Sequence, residues 1–95
     1  VAPAVMAYLV DVCRATRTSP AVRLGVSPRG ATSLLRTARV WAFLQGRGFV
    51  TPDDVKTMAP STLAHRLGLR AEANLEGITA VNVISGVLAA TPVPR

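Results

Sequence analysis

Ser27-Pro28-Arg29-Gly30-Ala31-Thr32-Ser33-Leu34-Leu35-Arg36-Thr37-Ala38-Arg39-Val40-Trp41-Ala42-Phe43-Leu44-Gln45-Gly46 is the strongest periodic stretch in this 95-residue chain. Ser27 is a good N-cap, because its hydroxyl accepts a first-turn amide that has no partner in the helix. Pro28 suits the first helical position, where no amide is needed. Ala31, Leu34, Leu35, Ala38, Trp41 and Ala42 recur at helical spacing and form one apolar stripe. Gly46 is well suited to the left-handed residue that ends a helix. The stretch predicts a helix from Pro28 to Gln45.

Three further helical patterns lie outward of it. The first begins at Pro3 and is expected to bury Val5, Met6, Leu9, Val12 and Cys13 before dissolving at Thr16-Arg17-Thr18-Ser19-Pro20. Thr51-Pro52-Asp53-Asp54 reads as another cap followed by proline, with Val55, Met58, Ala59 and Leu63 behind it. Pro60 lacks an amide and clashes with the preceding turn, so two short helices meeting at Ala59-Pro60 are expected. Thr79 caps a last helix with the stripe Ala80, Val83, Ile84, Val87 and Leu88, and Thr91-Pro92-Val93-Pro94-Arg95 cannot continue it. Between the helices, Val22-Arg23-Leu24 and Leu67-Gly68-Leu69 read as a minor pair of extended segments, and polar Ala71 to Gly77 reads as a loop. The fold class is all-α: a small bundle of four to five helices in one domain, residues 1–95.

Composition sets outer limits. Apolar residues make up 49% and charged residues only 17%, which argues against disorder. Cys13 is the only cysteine, so no disulfide forms within the chain. No apolar run approaches the length of a membrane span. The net charge is +6, with ten arginines and a single lysine, Lys56. Arginine suits phosphate contacts, although the arginine and alanine content equally suits a GC-rich genome. The chain opens Val1-Ala2-Pro3, with no initiator Met and no leader signature, and is read as a piece of a longer protein.

Catalytic patterns are missing. Lys56-Thr57 has no glycine loop before it and falls inside an expected helix, so it is not a P-loop. Gly25-Val26-Ser27-Pro28-Arg29 lacks the second glycine of a nucleophile elbow. His65 stands alone, Cys13 lies on an apolar stripe, and a helix start explains Asp53-Asp54. The chain by itself is expected to catalyse nothing.

Arg29 is out of place. On a wheel of about 100° per residue it lies opposite the apolar stripe, with Arg36 close to its direction and Arg39 not far off. A helix start carries positive charge, so a cation there is mildly disfavoured. The same position suits an anion, which would meet both free amides and the guanidinium. Physical chemistry alone leaves open a solvated arginine, tolerated at some tenths of a kcal/mol, and an anion-binding one.

Gly25-Val26-Ser27-Pro28-Arg29, with Ala15-Thr16-Arg17 before it and Gly46-Arg47-Gly48-Phe49-Val50-Thr51-Pro52-Asp53-Asp54-Val55 after it, resembles the C-terminal lid of MoxR-family AAA+ ATPases. His65-Arg66-Leu67 and Val93-Pro94 agree, so the likeness covers nearly the whole chain; the family usually has alanine where Val26 stands. The resemblance implies a helical lid whose Arg29 is the second-sensor residue, reaching the γ-phosphate of ATP bound with Mg2+ on an upstream α/β domain. Arg17 matches a recurrent position whose role, a lesser nucleotide contact or packing at the domain boundary, stays open. The implied parent is a cytoplasmic, chaperone-like ATP hydrolase, working in a ring of like subunits beside a protein with a von Willebrand factor A domain. Its P-loop, acidic strand and arginine finger are expected upstream.

Two other classes compete. A basic helical module that binds nucleic acid agrees with the net charge, but arginines spread from Arg14 to Arg95 give no evident stripe or recognition helix. A purely structural docking domain is the other. Val40, Phe43 and Leu44 lie off the main stripe. Burial beneath the last helix is the favoured expectation; exposed, they would form a patch for the upstream domain or an adjacent subunit.

Overall fold

The computed structural model describes residues 2–94; Val1 and Arg95, part of the terminal readings above, lie outside the described residues. In chain order the elements are α1 (Pro3–Thr18), β1 (Val22–Leu24), α2 (Pro28–Leu44) and α3 (Pro52–Leu63). A 3-10 turn (Ala64–Arg66), β2 (Gly68–Leu69), α4 (Ala71–Leu75) and α5 (Ala80–Ala90) follow. It is an all-α bundle with a minor two-stranded sheet.

The caps are where the side chains demand them. Ser27 accepts the Gly30 amide at 3.4 Å. At the other end of α2, Gly46 adopts φ +79°, the Arg47 amide reaches Ala42 O at 3.0 Å and the Gly46 amide reaches Phe43 O at 2.9 Å. These two bonds satisfy carbonyls that the helix leaves open, in a Schellman end. Thr51 and Asp54 form a capping box on α3, and Thr79 and Asn82 form one on α5.

Buried Leu9 and Val12 of α1, Leu34 and Ala38 of α2, Val55, Ala59 and Leu63 of α3, and Ile84 of α5 meet in one core. Each large apolar side chain fully withdrawn from water contributes about 1.5–3 kcal/mol. α2 packs chiefly on α3, while α5 lies against α1 and α3. β1 and β2 pair antiparallel, Val22 with Leu69 and Leu24 with Gly68. That pairing brings the 3-10 turn before β2 beside the start of α2.

Four expectations need correction. Met6 is exposed, whereas Tyr8 and Thr16 are buried with Val5, Leu9, Val12 and Cys13. The stripe is centred on Val5, Leu9, Val12 and Thr16, and Met6 sits about 90° off that line. Pro60 does not split α3, which runs unbroken from Pro52 to Leu63. Burial of Ala59 and Leu63 on either side of the proline holds the helix together despite the missing amide. Ala71 to Gly77 is not a loop throughout. One short helix forms there, anchored by buried Ala73 and closed by Gly77 at φ +81°. Val40, Phe43 and Leu44 are not covered by α5, which packs elsewhere; they stand 59%, 78% and 68% exposed.

Candidate functional site

The loop from Gly25 to Ser27 is pinned to the last turn of α1 by two consecutive residues. The Thr16 hydroxyl accepts the Val26 amide at 3.0 Å and donates to Cys13 O at 2.6 Å. Arg17 donates to Val26 O from Nε at 3.2 Å and from Nη2 at 3.1 Å. Both backbone groups of a fully buried residue are thereby satisfied. The approach is close: a Cβ on Gly25 would stand 2.8 Å from Arg17 Cα. Val26 in turn packs against α2, where a Cβ on Gly30 would collide with Val26 Cγ1. Gly30, Leu34, Ala38 and Ala42 form the buried line of α2. Gly30 escapes the apolar pattern because it has no side chain to read.

This anchoring sets the direction of Arg29. It is the second residue after the Ser27 cap and is exposed, opposite the buried line. It lines a cleft of about 340 Å³ with Thr32, Ser33, Arg36 and Arg66. Arg66 donates from Nη2 to Ser33 Oγ at 3.0 Å. Arginines spread along the sequence thus converge in space, a grouping hidden by the separation of 33 positions between Ser33 and Arg66. No carboxylate lines the cleft. Among the described residues the ion pair lies elsewhere, between Arg47 and Asp54.

Of the residues singled out in the sequence, Arg29 and Arg36 come together here. Arg39 instead lines a cleft at the far end of α2 with Phe43, Arg47 and Phe49. Arg17 binds the Val26 carbonyl and does not line the Arg29 cleft. His65 is exposed on the 3-10 turn. Cys13 is buried, and desolvation pushes its thiol up to about 11, with Arg17 pulling slightly the other way. A thiol held protonated is a core residue, not a nucleophile. Tyr8 is also raised, first by burial and then by the charge of Asp53. Asp54 does more than favour a helix start. It is buried, accepts the Thr51 amide at 2.8 Å and is ion-paired to Arg47. The Arg47-to-Asp54 spacing was visible in the sequence, but nothing local identified the pair.

Residues 14–87 match the AAA lid domain family. The chain is 44% identical to the uncharacterized protein YeaC of Bacillus subtilis, over 92% of this chain and 27% of that protein. It is 36% identical to protein MoxR of Paracoccus denitrificans, over 97% of this chain and 31% of that one. It is 36% identical to chaperone MoxR1 of Mycobacterium tuberculosis, over 78% of this chain and 20% of that one. A crystal structure of a candidate ATPase from Cytophaga hutchinsonii superimposes with a TM-score of 0.91 at 28% identity, covering 99% of this chain and 31% of that one. The chain therefore spans less than a third of the length of these relatives.

Proposed function

The chain belongs to the AAA lid domain family as the lid of a MoxR-family ATPase, and we propose that Arg29 is its second-sensor residue, contacting the γ-phosphate of ATP. The observation that carries this is the convergence of arginines on a cleft without a carboxylate, at the start of α2. Guanidinium forks and first-turn amides are matched to phosphate oxygens. A charge-assisted hydrogen bond to phosphate is worth about 1.5–3 kcal/mol and lasts only as long as the γ-phosphate does. That dependence supplies the differential affinity by which nucleotide state moves the lid.

Arg17 acts as a positioning residue. Its two bonds to the Val26 carbonyl, with the Thr16 bond to the Val26 amide, hold the loop that aims Arg29. The remaining machinery belongs to the parent chain. Mg2+ goes with the P-loop on the upstream α/β domain, as the family resemblance implies. The parent hydrolyses ATP in a ring of like subunits in the cytoplasm, remodels client proteins and works beside a protein with a von Willebrand factor A domain. Among the described residues no helix is long and apolar enough to cross a membrane.

The test is steady-state ATP hydrolysis and nucleotide-dependent assembly of the full-length parent. Arg29→Ala should lower kcat/KM about ten- to a hundredfold, the range of one lost charge-assisted bond. Arg17→Ala should give a smaller loss in the same direction. Unchanged hydrolysis and unchanged assembly in Arg29→Ala would end this reading.

A further inference from the structure

Arg66 enters the Arg29 cleft from a different element, and its placement is constrained on two sides. Its Nη2 donates to Ser33 Oγ, and its Cδ lies 3.4 Å from where a Gly30 Cβ would be. Ser33 is four residues beyond Arg29, on the same face of α2 and one turn, about 5.4 Å, further along. Arg66 therefore lines the same cleft as Arg29. One bond to Ser33 uses a single N–H of the fork and leaves other donors free.

A solitary solvated arginine needs no explanation. Arg29, Arg36 and Arg66 around one cleft repel one another, and no carboxylate lining it offsets them. An anion carrying several charges relieves that repulsion, and a hydrogen bond that orients one guanidinium beforehand reduces the ordering needed to receive it.

We propose that Arg66 is a second phosphate-binding residue of this site, gripping the terminal phosphates of a nucleoside triphosphate beside Arg29, with Ser33 as its positioning residue. This rests on the reading of Arg29 given above. Arg29 is exposed and free to follow the phosphate, whereas Arg66 is braced. The pair thus supplies one mobile and one fixed cation for the same polyphosphate. Arg66 would favour the triphosphate over the diphosphate, because the additional charge falls between the two guanidinium groups.

Equilibrium binding of fluorescent ATPγS and ADP analogues to the full-length parent tests this, without reliance on turnover. Arg66→Ala should weaken ATPγS about tenfold or more and ADP distinctly less, as expected for one charge-assisted bond. Arg66→Lys should restore part of the loss, and Ser33→Ala should give a few-fold loss of the same selectivity. Because Arg66 is exposed, circular dichroism should show the variants folded. Equal weakening of both nucleotides by Arg66→Ala, the signature of a carboxylate partner on the neighbouring domain, overturns the proposal, and so does no weakening at all. Loss of ATPγS preference in Arg29→Ala with none in Arg66→Ala defeats the Arg66 assignment and leaves that of Arg29 standing. The opposite pattern supports Arg66 and defeats Arg29.

Discussion

The two ends of α2 share one outward face and are furnished for different company. At the start, Arg29, Ser33 and Arg36 line a basic cleft with Arg66. At the finish, Val40, Phe43 and Leu44 present exposed apolar surface, joined beyond the helix by exposed Phe49. Each end is also tied by an arginine, but to unlike partners. Arg17 binds a neutral carbonyl at the start; Arg47 is ion-paired to buried Asp54 at the finish. One helix thus carries a basic cleft at its start and exposed apolar side chains at its finish. At the finish Asp54 offsets Arg47 alone, and Arg39 stays beside Phe43 and Phe49.

The largest expected effect strikes the ion-paired end. Asp54→Ala removes the partner of Arg47 and the acceptor of the Thr51 amide together. Arg47 is 32% exposed and regains some water, so the loss should be about 2–4 kcal/mol, below the full penalty for a broken buried pair. Urea denaturation measures it, and a loss below half a kcal/mol would mean that the tie is decorative.

A middle-sized effect tests the charged end. Gly30→Ala drives a methyl into Val26 Cγ1 and should destabilise by about 1–3 kcal/mol, the usual range for overpacking. Val26→Ala opens that space at the expense of a buried valine. In the double variant the two changes should offset each other, with a coupling energy of about 1 kcal/mol or more. Strict additivity in a double-mutant cycle would show that Val26 and Gly30 do not share that volume.

The smallest effect on stability belongs to the apolar end. Phe43→Ser should alter unfolding free energy by no more than about 0.5 kcal/mol, because the ring is already 78% exposed. Yet it should weaken assembly of the full-length parent, read by sedimentation, if that end meets another surface. A large stability loss would show that the ring is covered after all and would erase the contrast between the ends.

Most of the bundle was legible because its signals are local. Ser27, Thr51 and Thr79 announce helix starts through chemistry that operates within one turn, and Gly46 announces an end in the same way. The extended pair was also legible from its alternation. What escaped depends on distance or on a contest between terms. Pro60 carries a local penalty that the sequence shows, but burial of Ala59 and Leu63 outweighs it. Ala71–Leu75 is too short for a period to emerge. Periodicity shows which way Val40, Phe43 and Leu44 face and not what lies above them. Within the site, Arg29 stood out by breaking a helix-dipole preference. Arg66 had no such local mark, and its meaning comes only from crossing to Ser33.

The shared volume of Val26 and Gly30 also restricts how this motif can drift. From the present pair, enlarging position 30 first passes through a strained intermediate, whereas shrinking position 26 first opens the way. The order of substitution therefore matters, and the two sites should exchange bulk as a unit. Descendants of this chain are confined to a narrow corridor on either side of Arg29, set by the packing of its neighbours.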